Sequence, residues 1–298
     1  MVLERVGVVT VTYASASTIA ACLTALPTDA LGAVVVVDNS SPDDTVAVVE
    51  SLALPGVTLV HRPNLGFGAG NNAGVAALPP HVEHVLFLNP DAVIAPGDVE
   101  TLAAYLDAHP SVAMVGPRLS KNGVPIESAN RAPSVLTEIK PLLPRALGRR
   151  ITDRRMPPSY AVTGPVGAVE GACMMARRSA LEAVGGFDER FFLFFEELDL
   201  ARRFGERGWS VHLVAEASAE HLVAASRSTT SHGARPESVR SQAKFFTKWG
   251  DASVLRVWPR VARTSWWLRA RLGRLPQAER AALREALRDG LTRPPAAG

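Results

Sequence analysis

The sequence contains little cysteine and no long hydrophobic segment. Cys22 and Cys173 are the only cysteines among 298 residues, and apolar residues flank both of them. This count implies no disulfide framework and favours a reducing compartment. No apolar run approaches the roughly 20 residues that a membrane-spanning helix needs, and the first residues lead into a strand-like pattern without the layout of a signal peptide. We therefore expect a cytoplasmic protein.

The sequence also lacks the modules that bind nucleic acid. It has no zinc-finger spacing, no basic zipper and no RNA-binding aromatic motif. Its net charge of +3 is unevenly distributed, because residues 256–298 hold ten arginines, no lysine and three acidic residues. That end therefore carries +7, and the remainder carries −4. Such an asymmetry predicts a negatively charged partner for the basic end only.

The first 116 residues alternate between strand-like and helix-like segments. Strands are predicted at 6–13, 33–37, 57–61 and 85–88, the first and the last of them buried, with a helix in each interval. This alternation predicts an α/β domain with a mainly parallel sheet and helices on both faces. Later segments predict a helix at 98–108 and strands at 112–115, 166–176, 209–213 and 215–219.

Three of the predicted strands end in polar residues. These are Thr12 with Tyr13, Asp38 with Asn39, and Asn89 with Asp91. Because Pro90 donates no backbone hydrogen bond, it ends its strand and leaves Asp91 at the carboxyl edge, where open α/β sheets bind ligands. A carboxylate there suits Mg²⁺ or Mn²⁺ holding a diphosphate. The alternatives are a turn residue that caps the next helix for Asp91 and an Asx turn for Asp38.

A glycine-rich segment, residues 64–72, follows the third strand. The dinucleotide-binding fingerprint requires other glycine spacing and a place after the first strand, so a nicotinamide-dependent oxidoreductase is disfavoured. The glycines instead let the backbone approach a diphosphate, with Asn71 and Asn72 at the start of the next helix. The candidate contacts in this segment are Asn64, Gly66 and Asn71.

Residues 185–202 combine five phenylalanines with several acids. If a helix begins at these acids, Glu196 and Asp199 share one face and Glu197 points elsewhere. A carboxylate beside an aromatic cluster is partly desolvated, which raises its pKa and favours a general-base role. The alternative is a solvated helix start whose acids complement the macrodipole. His221 follows the last predicted strand, and an isolated histidine is more often structural than a ligand.

Taken in order, these segments resemble one known family. The chain is similar to the inverting glycosyltransferases of family 2 with a GT-A fold, and most similar to the bacterial rhamnosyltransferases among them. The resemblance covers roughly residues 5–230. It rests on the ordered set Val-Thr-Tyr, Val-Asp-Asn-Ser, Asn-Leu-Gly-Phe-Gly-Ala-Gly-Asn-Asn, Leu-Asn-Pro-Asp-Ala, Gly-Ala-Cys-Met-Met-Ala-Arg-Arg, Gly-Gly-Phe-Asp-Glu-Arg-Phe-Phe and Glu-Glu-Leu-Asp-Leu.

The resemblance implies roles for particular residues. Thr12, Tyr13 and Asp38 would hold the nucleotide, with Asn39, Asn64, Gly66, Asn71 and Asn89 lining the nucleotide-sugar site. Asp91, which stands for the Asp-x-Asp motif, and His221 would bind Mg²⁺ or Mn²⁺. Glu197 matches the position of the catalytic base.

Two positions depart from the family pattern. Asn89 stands where the first Asp of the motif often lies, so fewer charged ligands would hold the metal. Glu197 stands where Asp is commoner, so Glu196 or Asp199 could substitute for it as the base.

The implied reaction is transfer of L-rhamnose from dTDP-rhamnose to a lipid-linked or cell-wall glycan precursor. Within the same fold, UDP-galactofuranose, UDP-N-acetylglucosamine or GDP-mannose are alternative donors. A different alternative is an inactive scaffold that binds a nucleotide sugar, against which the presence of Asp91, Glu197 and His221 argues.

The sequence further predicts a division into domains. Residues 1–230 would form the catalytic domain, and residues 231–298 would form a basic helical extension. Within the catalytic domain we expect a nucleotide-binding half (1–116), a flap (117–168) and an acceptor half (169–230). The extension, with Trp258, Trp266 and Trp267, is expected either on an anionic membrane surface at the inner face of the plasma membrane or packed on the catalytic domain.

Overall fold

The computed structural model describes residues 2–130, 162–222, 234–250, 252–271 and 277–291. These residues divide into two compact units. The larger unit contains the described residues up to 192 and residues 196–222, and the smaller unit contains residues 193–195 and the described residues from 234 onward. The predicted boundary between residues 230 and 231 lies outside the described residues.

The larger unit is built around one twisted sheet. The strands of this unit are β1 (Val6–Thr12), β2 (Ala33–Asp38), β3 (Val57–His61), β4 (His84–Leu88), β5 (Ala92–Ile94), β6 (Val112–Lys121), β7 (Val124–Pro125), β8 (Ala129–Asn130), β9 (Gly164–Val166), β10 (Ala168–Val169), β11 (Cys173–Arg177) and β12 (Ser210–His221). β8 and β10 pair as a separate two-stranded sheet, and the other ten strands belong to the main sheet. Its helices are α1 (Ile19–Thr24), α2 (Thr45–Ser51), α3 (Phe67–Ala77), α4 (Pro96–Ala108), α5 (Arg178–Val184) and α6 (Glu196–Glu206), after a short 3₁₀ helix (Leu3–Arg5).

The strand order confirms the predicted α/β class. The main path of the sheet runs β3-β2-β1-β4-β11-β6-β12-β5. β1 pairs in parallel with β2 and β4, β2 pairs in parallel with β3, and β12 pairs in parallel with β6. β11 lies antiparallel between β4 and β6. The carboxyl ends of β1, β2 and β4 therefore meet at one edge of the sheet.

Two apolar layers cover the two faces of this sheet. Val8 and Leu86 face one layer, together with residues of α1 and α4, whereas Val9 and Phe87 face the other, together with residues of α5 and α6. Successive residues of a strand point to opposite faces, so a strand covered on both sides must be apolar throughout. This requirement explains the continuous apolar runs in β1 and β4.

Helix α3 packs closely on β1 at Gly74. A β-carbon there would lie 2.2 Å from Cγ1 of Val9. We expect Gly74→Ala to lower the free energy of unfolding by about 1–3 kcal/mol, because the branched Val9 side chain has little room to move. Gly97→Ala in α4 is the matched control, since a β-carbon at Gly97 would have no neighbour within 4 Å. Thermal melts of both variants check this, and equal melting temperatures would contradict it.

The structure corrects several predicted elements. β5 was not predicted, and it precedes α4, which begins at Pro96. The two strands predicted at 209–213 and 215–219 form the single strand β12, because a register shift between Val214 and Ser218 absorbs the break in alternation. The strand predicted at 166–176 is divided at glycines into parts of β9, β10 and β11.

The segment predicted as a flap also contains regular structure where it is described. β6 continues to Lys121, and β7, β8 and β9 lie within residues 117–130 and 162–168. Leu119 is buried in the core, which explains why the sheet continues past the predicted strand end. Residues 131–161 of the predicted flap lie outside the described residues.

The smaller unit is helical where it is described. Its helices are α7 (Ala234–Trp249), α8 (Ala252–Arg271) and α9 (Gln277–Leu291). Trp258 is buried and packs edge-on against Phe246, with ring centroids 5.4 Å apart. Trp258 of the basic extension therefore packs inside the smaller unit. No helix among the described residues is long and apolar enough to cross a membrane.

Candidate active site

The ends of β1 and β2 bring Thr12 and Asp38 together. The two residues are partners in the strand register, and the Thr12 hydroxyl donates to Oδ1 of Asp38 at 3.2 Å. The backbone N–H of Ser41 lies 3.3 and 3.2 Å from the two carboxylate oxygens, which matches the Asx-turn alternative. Asp38 is buried, whereas Tyr13, the residue after Thr12, is 48% exposed. An exposed aromatic residue and a buried carboxylate at neighbouring strand ends suit a ligand with a flat face and a hydroxyl or N–H donor.

The glycine-rich segment is fixed against these strand ends. The Asn39 amide donates to the carbonyl of Gly66 at 3.2 Å, and the Gly66 N–H donates to Oδ1 of Asn64 at 3.2 Å. Gly66 has φ of +104°, and a β-carbon there would lie 2.4 Å from the carbonyl oxygen of Phe192. The Phe67 N–H donates to that same carbonyl at 2.8 Å. Only glycine permits this close approach between two loops.

Of the two asparagines at the start of α3, Asn72 makes the contacts between segments. Its side chain exchanges hydrogen bonds with the backbone of Phe187 and also donates to Glu189 at 3.0 Å. Asn71 is buried, and its amide donates to the carbonyl of Phe67 one turn earlier. The Asn71 amide is thus engaged within its own helix, whereas Asn72 ties α3 to the segment around Phe187.

A tight turn follows β4. The Asn89 N–H donates to the carbonyl of Ala172 at 2.9 Å, and the Asn89 carbonyl accepts from the Ala92 N–H at 3.0 Å. Cys22 Sγ also lies 3.5 Å from that carbonyl. The backbone of Asn89 is thus fully engaged, which presents Asp91 at the edge of the sheet.

Asp91 and His221 lie side by side, although 130 positions separate them in the chain. His221 is the last residue of β12 and pairs with Ala92 of β5. Its Nε2 lies 3.2 Å from Oδ1 of Asp91, and the Leu222 N–H donates to the Asp91 carbonyl at 3.0 Å. The unpredicted strand β5 is therefore what places this histidine beside this carboxylate.

The second oxygen of Asp91 fits a cation. Asp91 is 4% exposed, and its Oδ2 has no hydrogen-bond partner among the described residues. A buried carboxylate oxygen without a donor is unusual unless a positive ligand contacts it. One carboxylate and one imidazole form a donor set suited to a divalent ion such as Mn²⁺.

The protein supplies few ligands for such an ion. Across the parts of the chain that the structure describes, no group of three or more His, Cys, Asp or Glu side chains is placed to hold a metal. Asp91 and His221 would therefore need further oxygen ligands from a bound diphosphate or from water. The expectation that Asn89 reduces the number of charged ligands stays a prediction.

Glu197, the second residue of α6, has a raised pKa. Burial raises its pKa from the usual 4.5 to about 7, and the negative charge of Glu170 contributes in the same direction. A carboxyl with a pKa near neutrality can accept a proton and release it again at physiological pH. The raised pKa agrees with the predicted desolvation of a carboxylate in this stretch, and the role of Glu197 as the base stays a prediction.

Glu170 was not predicted as a site residue. It directly follows β10, and its N–H donates to the carbonyl of Ser128 at 3.1 Å. It also precedes the Gly-Ala-Cys-Met-Met segment whose Ala172 carbonyl holds Asn89. The sequence did offer a signal for Glu170, because this acidic residue directly precedes one of the segments that resemble family 2.

Glu196 and Asp199 are both buried, in agreement with their shared helix face. Oδ2 of Asp199 accepts from Nε of Arg203 at 2.8 Å. Nη1 of Arg203 in turn donates to the carbonyls of Val184 and Gly186 at 2.9 and 2.7 Å. Asp199 thus links α6 to the end of α5, which favours a structural role for it over that of an alternative base.

The sequence is similar to those of known glycosyltransferases. The sequence model of the family described as "Glycosyl transferase family 2" matches residues 7–185. An N-acetylglucosaminyl-diphospho-decaprenol L-rhamnosyltransferase of Mycobacterium tuberculosis is 33% identical over 214 residues, which are 66% of this chain and 68% of that protein. The rhamnosyltransferase WbbL of Escherichia coli is 28% identical over 165 residues, which are 52% of this chain and 60% of that protein.

Solved structures share the fold. The mannosyltransferase PcManGT from Pyrobaculum calidifontis, in complex with GDP-Man and Mn²⁺, aligns over 96% of this chain and 85% of its own with a TM-score of 0.58. Its sequence identity is 19%, so this likeness concerns the fold alone. Together with the family match and the rhamnosyltransferase relatives, it shows that the chain belongs to glycosyl transferase family 2 and is a glycosyltransferase with the GT-A fold.

Proposed function

We propose that this chain is an inverting, metal-dependent rhamnosyltransferase that uses dTDP-rhamnose and a polyprenyl-diphosphate-linked glycan. The observation that carries the reaction type is Glu197, a carboxyl whose pKa is raised by burial to about 7. The sugar and the acceptor are supported by the Mycobacterium tuberculosis relative, which is an N-acetylglucosaminyl-diphospho-decaprenol L-rhamnosyltransferase. A lipid-linked acceptor would put the reaction at the cytoplasmic face of the plasma membrane.

In this proposal, Glu197 accepts the proton of an acceptor hydroxyl. The hydroxyl oxygen forms a bond to the anomeric carbon of the sugar as the bond from that carbon to the diphosphate oxygen breaks. The proton stays on the Glu197 carboxyl, and the electron pair leaves with the nucleoside diphosphate. One displacement on a single face inverts the configuration at the anomeric carbon.

The remaining site residues orient the donor and its leaving group. The exposed Tyr13 ring and the Thr12–Asp38 pair would hold the nucleotide, and the Gly66 turn would let the backbone approach the diphosphate. Asp91 and His221 would hold a divalent cation. When bound, this cation would neutralise the charge that develops on the departing diphosphate. Asp199 and Arg203 fix the helix that carries Glu197.

Transfer activity with a panel of nucleotide sugars tests the proposal. We expect product from dTDP-rhamnose with an N-acetylglucosaminyl-diphosphoryl lipid acceptor in Mg²⁺ or Mn²⁺, and none after EDTA treatment. Product from UDP-galactofuranose, UDP-N-acetylglucosamine or GDP-mannose instead would overturn the rhamnose assignment. If a nucleotide sugar binds but no donor gives product with the lipid acceptor, the result would support the inactive scaffold.

The charge of Glu170 provides a test through pH dependence. Because that charge raises the pKa of Glu197, we expect Glu170→Gln to lower this pKa. The base acts in its deprotonated form, so the acid limb of the kcat/KM profile, expected near pH 7 in the wild type, should move to lower pH. Glu182→Gln, an exposed position on α5, is the matched control for loss of one acid. An unmoved acid limb in Glu170→Gln would contradict the coupling.

A further inference from the structure

Helix α8 carries a basic stripe on its exposed side. We define the stripe as Arg256, Arg260, Arg263, Trp267 and Arg271, all of which are exposed. Their spacing of four, three, four and four residues places them within an arc of about 80° on a helix. Trp267 lies near the middle of this arc and is 41% exposed.

The other side of α8 is apolar and packed. Trp258 and Ala262 are each 2% exposed, and Trp258 contacts Phe246 within the same unit. The helix therefore has one face committed to its own unit and an opposite face that presents arginines around an aromatic ring. The Arg271 guanidinium lies 4.8 Å from the Trp267 ring centroid, in a cation–π contact.

The neighbouring helix α9 does not share this pattern. The exposed residues of α9 include Arg284, Glu285, Arg288 and Asp289, in which the two signs alternate and cancel. The described exposed positions of α8 carry arginines without an acidic residue among them. The exposed side of α8 therefore carries more net positive charge than the exposed side of α9.

We propose that the α8 stripe binds the surface of a bilayer that contains anionic phospholipids. Four arginines on one face attract the negative surface potential of such a bilayer. An exposed tryptophan at the centre of the stripe prefers the boundary between headgroups and acyl chains, where its ring is desolvated and its N–H stays hydrogen-bonded. A soluble polyanion would use the arginines but would have no comparable site for the tryptophan.

Cosedimentation of the full chain with lipid vesicles tests this proposal. Vesicles of phosphatidylcholine alone are compared with vesicles that also contain phosphatidylglycerol, at low and at high ionic strength. The variants are Arg260→Glu with Arg263→Glu, Trp267→Ala, and the matched control Arg284→Glu with Arg288→Glu on α9. No donor or acceptor is present, so the result is independent of the proposed glycosyl transfer, and thermal melts verify that each variant is folded.

We expect the wild-type chain to prefer the anionic vesicles and to lose this preference at high ionic strength. The α8 charge reversal should lower the partition coefficient roughly tenfold or more, and Trp267→Ala should lower it about threefold. The α9 control should stay within about twofold of the wild type. Equal losses in the α8 and α9 variants, or equal binding to both vesicle types, would overturn the proposal. Undiminished binding by Trp267→Ala would show that the tryptophan does not enter the bilayer surface and would likewise overturn the proposal.

Discussion

Glu197→Gln is expected to lower turnover by about 1,000-fold, because the amide cannot accept the proton of the acceptor hydroxyl. The substitution keeps the shape of the side chain, so donor binding should persist. Initial rates of sugar transfer measure the first effect. A donor-dependent rise in melting temperature measures the second, since a ligand that binds only the folded state stabilises it.

The same substitution has an expected effect on stability. The pKa of Glu197 is raised from 4.5 to about 7, so its contribution to stability is full below pH 4.5 and is lost as the pH rises toward 7. Glutamine has no such titration. Glu197→Gln should therefore be more stable than the wild type at pH 8, by about 1–3 kcal/mol, with the difference shrinking toward pH 5.

Glu206→Gln is the matched control, because Glu206 is an exposed residue at the other end of α6. It should keep both the wild-type turnover and the wild-type melting temperature. Near-normal turnover in Glu197→Gln would remove Glu197 as the base and direct attention to Glu196. A loss of turnover without the gain in stability at pH 8 would show that Glu197 is charged in the folded protein at lower pH than proposed.

Asp91→Asn is expected to lower transfer by at least about 100-fold, because it removes the carboxylate that we propose as a metal ligand. The buried Oδ2 without a donor is the feature that predicts this loss. Removing the charge should also abolish the part of donor binding that depends on metal. Donor-dependent thermal shifts, recorded with Mn²⁺ and with EDTA, measure this second readout.

The chain offers a close control for Asp91. Asp107 and His84 form another carboxylate–imidazole pair, with Nε2 and Oδ1 2.8 Å apart, and His84 begins β4 at the amino end of the strand. Asp107→Asn should leave transfer and the metal-dependent thermal shift unchanged, even if it lowers stability. Equal thermal shifts with Mn²⁺ and with EDTA in the wild-type chain would contradict the metal role of Asp91.

β1, β2 and β4 could be predicted because these strands are buried on both faces. Such strands must be apolar throughout, and the polar residues that end them stand out in the sequence. Pro90 adds a definite stop, since it cannot continue the hydrogen-bond ladder. The positions of Thr12, Asp38 and Asp91 at one edge follow from parallel pairing alone.

The approach of His221 could not be predicted in the same way. β5 has three residues, which is too short for a recognisable alternation of buried and exposed side chains. The residues of β12 with which it pairs lie more than 120 positions later in the chain. β12 also changes register between Val214 and Ser218. A prediction that requires strict alternation of buried and exposed residues therefore divides this one strand into two. The resemblance to family 2 implied the pairing of His221 with Asp91 without giving a physical reason for it.

The acids of α6 show a further difference between pattern and structure. Helical spacing correctly grouped Glu196 with Asp199 and separated Glu197 from them. It could not show that Arg203 engages Asp199 or that Glu170 lies near enough to raise the pKa of Glu197. Both effects depend on residues brought together by the packing of α6, and neither is visible from spacing along one helix.

The central claim is a single displacement at the anomeric carbon, assisted by Glu197. The most direct test is the anomeric configuration of the product, determined by NMR after transfer from dTDP-rhamnose to the lipid-linked acceptor. We expect a configuration opposite to that of the donor. A retained configuration would require two displacements or a different mechanism, and would contradict the proposed role of Glu197.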